Sequence, residues 1–267
     1  VRESEGALAP LPRWLLIGNS RWHWAAPAAA PGEVLRVWHT PAGAVARDLG
    51  ELGESLLGWA AVGAVPAGEV LPPARRLELG DVPLGGLPPW LGIDRALVGW
   101  AGWRRRGGAL LVADAGTVLS LTRVDGAGRF AGGRLLAGVA LQLRAMAAGT
   151  RHLGEALGPQ GWVGKAPPRL WPEETAAAMG AGVMRGLAAA IAAAAAEAAE
   201  AALDAGTGTH TVLITGGDGP ALAPLVASLL AGPIGGPGGL PIAVELVPEL
   251  ALEALAALRP LRPGPGR

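Results

Sequence analysis

The sequence predicts an α/β fold built from two similar halves, and three observations carry that prediction. The first is an internal echo. "WLLIGNSRWHWA" (residues 14–25) and "LLVADAGTVLSLTRV" (110–124) each read as an apolar strand, a turn holding Gly and a hydroxyl, and a second strand. The second is that each echo leads into a third strand and then a helix. The third is an Ala-rich tract from about Glu173 to Leu203, whose composition alone gives high helix propensity. Two such halves facing each other leave a cleft where a ligand would sit. The boundary is expected within "RRRGG", giving halves at 13–107 and 108–260, a loose extension over 1–12, and a disordered Pro/Gly tail over 261–267.

The elements follow in order. Strands are expected at 14–18, 21–26 and 35–40, a helix around 43–54, and a strand at 58–65, "GWAAVGAV". A Pro/Gly-rich passage, "LGDVPLGGLPPWLGIDR", leads into a helix from about Arg95 to Trp103. Two strands then flank a tight turn, followed by a third at 128–136, a helix at 138–149 and a loop rich in Gly and Pro before the Ala-rich helix. "TVLITGGDGPALAPLVASLL" reads as strand, glycine turn and helix, and the chain closes with a strand at 242–247 and a helix at 249–258.

Composition narrows the function. The 267 residues carry 22 basic and 22 acidic side chains, so no general field attracts nucleic acid or an anionic membrane. There is no cysteine, which removes disulfides, thiolate metal sites and thiol nucleophiles. His23, His39, His152 and His210 lack metal-ligand spacing and read as structural or surface residues. "VRESEGALAPLPR" lacks the apolar core of a secretion signal, and the most apolar helical stretch falls short of the roughly twenty residues of a membrane span. A cytoplasmic protein is expected. The skew toward Ala, Gly, Pro, Arg and Trp makes single Ala or Trp positions uninformative, whereas Asn19, the only asparagine, stands out.

Four stretches carry chemistry. At Asp114-Ala115-Gly116-Thr117 a strand-ending Asp can hold a hydrated Mg²⁺, Gly lets backbone approach an anion, and Thr offers a hydroxyl to phosphate. Alone this is a common turn; its copy at Gly18-Asn19-Ser20 strengthens the phosphate reading, because two facing hairpins can grip one polyphosphate. Thr215-Gly216-Gly217-Asp218 is either a βα turn with Asp218 as helix cap or a platform for adenosine. In Gly92-Ile93-Asp94-Arg95, Asp94 is either the N-cap of the following helix or a base for a hydroxyl nucleophile, with Arg95 binding a carboxylate.

Taken together, these stretches resemble the type III pantothenate kinases, a family within the acetate and sugar kinase/Hsp70/actin superfamily. The likeness runs from about Trp14 to Leu258. The family's Asp-x-Gly-Asn-Thr falls on Leu16 to Ser20, its Gly-x-Asp-Arg on Gly92 to Arg95, and its second phosphate motif on Asp114 to Thr117. Its Gly-Gly…Pro-Gly segment matches Gly132, Gly133 and Gly138, with Ala137 in place of Pro. Thr175 with Gly182 and Gly186, and Thr215 to Asp218, complete the ordered set.

The resemblance implies two ribonuclease H-like domains in the actin-like ATPase arrangement, and transfer of phosphate from ATP to the primary hydroxyl of pantothenate in coenzyme A biosynthesis. It implies Asp94 as base, and pantothenate bound by Gly92, Asp94, Arg95 and Thr175. ATP would be held by Gly18, Asn19, Ser20, Asp114, Gly116, Thr117, Gly216 and Gly217, and Mg²⁺ through water on Asp114. A monovalent cation, K⁺ or NH₄⁺, and a homodimer in which Thr175 reaches the neighbouring subunit are also implied. Three departures bear on this. The first motif's Asp is Leu16, the acid associated with the monovalent cation is Thr122 with Asp125 off register, and Pro88 stands where a substrate-contacting Tyr is often found. A runner-up reading is a nucleotide-binding regulatory or transcription-accessory protein on the same scaffold, with Leu16 marking lost catalysis. A third is a kinase of another small hydroxylated acid.

Overall fold

Apolar alternation brings the first hairpin together as the sequence predicts. In the computed structural model, which describes residues 13–28, 35–42, 55–65, 71–150, 152–157, 169–206, 211–232, 235 and 241–261, β1 (Arg13–Ile17), β2 (Arg21–Pro27) and β3 (Leu35–Pro41) form an antiparallel meander. β4 (Leu56–Ala61) adds to β1 in parallel, so the first sheet has the order β3-β2-β1-β4. The helix expected around 43–54, the extension over 1–12, His210 and residues 262–267 lie outside the described residues.

The second sheet repeats this plan. β5 (Leu110–Ala115), β6 (Val118–Val124) and β7 (Phe130–Ala137) form a meander, and β8 (Thr211–Thr215) then β9 (Ala243–Leu246) extend it in parallel, giving β7-β6-β5-β8-β9. The echo read from the sequence is therefore a repeat of topology: a three-stranded meander whose first strand takes a parallel neighbour on its other edge. The described helices are α1 (Ile93–Arg106), α2 (Val139–Gly149), α3 (Leu153–Leu157), α4 (Thr175–Asp204), α5 (Gly219–Ala231) and α6 (Leu250–Leu258).

Three expectations need correction. β4 ends at Ala61 rather than continuing to residue 65, because the Val62 and Gly63 N–H groups both turn onto the Ile17 carbonyl, at 2.8 and 3.2 Å. The loop expected after residue 149 contains α3. The passage over 79–95 is punctuated by a 3₁₀ turn at Leu79–Asp81, closed reciprocally by Glu78 and Asp81.

Contacts divide the described residues into two compact units. One comprises those up to Val82 with Gly92–Asp94 and the stretch from Ala251; the other comprises Pro83–Leu91 and Arg95–Leu250. The first unit's core is Leu15, Ile17, Trp22, Trp24, Leu56, Trp59 and Leu71. Burial of each large side chain there is worth roughly 1.5–3 kcal/mol. In the second unit alternation along β5 sends Leu111, Ala113 and Ala115 toward α2, α4 and α5. The opposite face takes α1, admitted closely because Gly99 and Gly102 face Leu84, Val124, Leu110 and Leu213 at distances where any side chain would press on them. α4 is long and apolar enough to cross a membrane by length and composition, yet half of that stretch is buried in the unit's core.

Candidate active site

The first corner is the β1–β2 turn. Gly18 N–H donates to the Arg21 carbonyl at 3.0 Å, which closes the turn and leaves Asn19 and Ser20 exposed at its tip. A side chain on Gly18 would meet that carbonyl at 2.8 Å, and one on Gly63 would meet the Gly18 carbonyl at 2.7 Å, so both positions require glycine. Leu16 is buried and lies opposite His23 on one side and Ala60 on the other. It brings no oxygen to the corner. His23 in turn lies opposite His39, and their Nδ1 atoms are 3.0 Å apart. Burial, then the nearby His39 and Arg21 charges, lowers the His23 pKa to about 4, so this imidazole is neutral at physiological pH.

The second corner is the β5–β6 turn. Asp114 ends the buried run of β5, partly exposed, while Thr117 is exposed at the tip. Two glycines press on this turn from other segments. A side chain at Gly138 would meet the Thr117 carbonyl at 2.7 Å and overlap that of Gly116, and Gly138 N–H donates to the Thr117 carbonyl at 2.9 Å. Gly216, at φ +85°, passes so near Asp114 that a Cβ there would sit 2.5 Å from the carboxylate Oδ1. The glycine turn after β8 is tied on by the Asp218 N–H, which donates to the Ala115 carbonyl at 2.9 Å, and Gly217 faces open space. Asp114, Gly116, Thr117, Gly216 and Gly217 thus gather in one unit. Asp218 does occupy the cap position of α5, but its carboxylate makes no capping bond. A cavity of about 240 Å³ lies elsewhere, among Leu121, Arg123, Gly133 and Glu197.

Asp94 is the second residue of α1, not its N-cap, which corrects the capping alternative. Its carboxylate folds back so far that a side chain on Gly92 would lie 2.5 Å from Oδ1. Arg95 points the other way, into the second unit. Its Nε donates to Thr122 Oγ1 at 3.3 Å, its guanidinium carbon lies 5.6 Å from the centre of the Phe130 ring, and a side chain on Gly133 would overlap it. Thr175 opens α4 and is exposed, as are Gly182 and Gly186 along the same helix. Pro88 sits in the turn before α1, its carbonyl accepting from the Leu91 N–H at 3.0 Å.

The site's fit to metal ions follows from its oxygens. Among the described residues no three His, Cys, Asp or Glu side chains cluster around a common point. The second corner nevertheless suits a hydrated divalent ion that arrives with phosphate. It offers the Asp114 carboxylate and, directly across the ladder, the Ser120 hydroxyl, which is buried without a hydrogen-bond partner among the described residues. Thr122 does not suit a monovalent cation. It is fully buried, and its oxygen already accepts from a guanidinium, a fixed positive charge that repels a second one. Sequence reading missed Ser120, although polar residues at 114, 120 and 122 on one face of alternating strands were its signal.

Comparison with known proteins places these features in company. A family model described as type III pantothenate kinase matches residues 87–197, which include Asp94, Arg95, the second corner and Thr175. The type III pantothenate kinase of Thermosynechococcus vestitus is 38% identical over 208 residues, 77% of each chain. That of Synechococcus elongatus is 34% identical over 223 residues, 78% of this chain and 85% of its own. Among solved structures, a putative Baf family transcriptional activator from Campylobacter jejuni superposes with a TM-score of 0.51 at 14% identity, covering 92% of this chain and 96% of its own. A putative 2-dehydro-3-deoxygalactonokinase from Sinorhizobium meliloti gives 0.51 at 16%, covering 95% and 98%. At such identities these two speak for the fold alone.

Proposed function

The chain belongs to the type III pantothenate kinase family, and on that premise we propose a division of labour among its corners. The protein phosphorylates pantothenate at the expense of ATP, the step that commits pantothenate to coenzyme A. One observation carries the assignment of residues: the second corner, where the Asp114 carboxylate, the Thr117 tip and the Gly216–Gly217 backbone are gathered and cleared of side chains.

In this reading the chain is a duplication of two ribonuclease H-like domains, and each carries one phosphate-binding corner. Gly18 closes the first turn and lets phosphate approach, Asn19 and Ser20 offer backbone N–H groups and a hydroxyl to phosphate oxygens, and Gly116 and Thr117 do the same from the second corner. Gly216 and Gly217 flank the adenosine, where a side chain would block approach. Asp114 with Ser120 would hold the water shell of a divalent ion, Mg²⁺, which supplies neutralisation of phosphate charge when bound. Asp94 accepts the proton of the attacking primary hydroxyl. Arg95 and Gly92 orient pantothenate, whose carboxylate suits a guanidinium. An alkanol is a weak nucleophile and the phosphoryl group is highly charged, so alignment and charge neutralisation carry most of the rate.

Dimerisation is part of the proposal. Thr175, Gly182 and Gly186 lie exposed on α4, and Leu170 and Trp171 just before it are exposed as well. A second subunit seated there would bring Thr175 to its neighbour's pantothenate. A cytoplasmic location, without nucleic-acid or membrane partners, fits the balanced charge.

A coupled ADP-release assay with pantothenate and Mg²⁺ tests the function. ADP release that depends on pantothenate is the expected result, and its absence across metal and salt conditions would overturn the reading.

A further inference from the structure

We propose that Ser120 is a binding residue of the second corner, its hydroxyl accepting a hydrogen bond from a water of the nucleotide's divalent ion beside Asp114. The ligand named here rests on the kinase reading; the singular state of this hydroxyl does not.

Ser120 is 6% exposed, and its Oγ has no hydrogen-bond partner among the described residues. It is the residue directly opposite Asp114 in the β5–β6 ladder. Opposed residues share a face of the sheet with Cβ atoms about 4.5–5.5 Å apart. On the other side of Asp114 the same row continues to Thr215, whose hydroxyl donates to the Pro248 carbonyl at 2.9 Å. Two positions along β6, Thr122 Oγ1 accepts from Arg95 Nε. Three hydroxyls therefore border the Asp114 face. Two are engaged within the protein, and the one directly across from the carboxylate is not.

A buried hydroxyl left unmatched is destabilising, and alanine would remove that cost. What serine offers is an acceptor for a water O–H, and one proton to donate to a carboxylate or phosphate oxygen. A hydrated divalent ion on a polyphosphate presents both kinds of partner, and Asp114 supplies the negative charge that draws it there. The other buried unmatched groups, Arg13 Nε and Trp103 Nε1, are donors only and cannot accept from bound water.

The experiment compares the full chain with Ser120→Ala and Ser120→Thr. Melting temperature is measured without ligand, and binding of a non-hydrolysable ATP analogue is measured by calorimetry with Mn²⁺ and with EDTA. Ser120→Ala is expected to melt about 1–4 °C higher without ligand, because the orphan group is gone. It should bind the Mn²⁺–nucleotide roughly fivefold to tenfold more weakly while metal-free affinity stays within about twofold. Ser120→Thr, which keeps the hydroxyl, should bind the Mn²⁺–nucleotide as the parent does. A lower ligand-free melting temperature in Ser120→Ala would mean the hydroxyl serves the fold, and unchanged Mn²⁺–nucleotide affinity would mean it serves no ligand; either overturns the proposal. An equal loss with and without metal also overturns it. If the unaltered protein binds the analogue but shows no pantothenate-dependent turnover, the function fails while the Ser120 comparison still decides.

Discussion

At the scale of single residues, the site pairs two adjacent side chains with opposite destinies. Asp94 folds over Gly92 at the start of α1, whereas Arg95 is drawn into the second unit by Thr122 and Phe130. Removing the proposed base should be selective. Asp94→Asn is expected to lower kcat by about 10²–10⁴, leaving ATP affinity within about twofold by calorimetry; near-normal turnover would free Asp94 of its role. The Arg95–Thr122 bond carries a second expectation. Since a guanidinium already occupies the oxygen at position 122, turnover in K⁺, NH₄⁺ or choline salts at matched ionic strength should agree within about twofold. Strong activation by K⁺ or NH₄⁺ would place the cation elsewhere in the protein. Asp94, Arg95 and Asp114 stood out as candidates from motif spacing. The direction in which Arg95 points was not, because neighbouring residues on a helix are splayed by about 100° and packing chooses what each meets.

At the scale of elements, the meanders explain why the two corners look alike in sequence yet differ in chemistry. Ladder register puts Ser120 beside Asp114 in one and His23 beside Leu16 in the other. Alternation made the strands predictable, but which polar residue ends up opposite which depends on pairing across the turn. The cross-strand His23–His39 contact has a consequence for stability. With His23 held near pKa 4 in the fold and 6.5 when unfolded, the unfolded chain binds more protons between those values. Stability is therefore fully present above about pH 6.5 and declines as pH falls toward about 4, by about 3 kcal/mol in total. Urea midpoints followed by Trp fluorescence between pH 7.5 and 5 should fall with acid, and His23→Gln should flatten that slope. Equal slopes in the two proteins would assign the acid sensitivity to other groups.

At the scale of the whole molecule, the end of the chain completes its beginning. Trp14 Nε1 donates to the Arg259 carbonyl at 2.7 Å, and Arg259 covers Gly58 while its Nη2 reaches Asp81 Oδ2 at 3.1 Å. α6 buries Leu252, Ala254 and Leu255. A chain ending at Glu249 should accordingly lose the first sheet rather than the nearer second one, at a cost of several kcal/mol by area, roughly 1.5–3 kcal/mol for each large apolar side chain. Limited proteolysis is expected to cut between β1 and β4 in that variant while β5–β9 stay protected; cleavage confined to the second sheet would contradict this.

The sequence by itself determined the α/β class, the repeated meander, the long central helix and the glycine-bearing corners, because hydrophobic period, helix propensity and turn chemistry act over a few residues. Family kinship was legible for the same reason, as ordered local motifs. Only the tertiary structure decided that α6 joins the first sheet, that Thr122 is spent on Arg95 and that Ser120 is left without a partner among the described residues. Those facts depend on contacts between segments far apart in the chain, where shape and hydrogen-bond supply choose partners that no local pattern encodes.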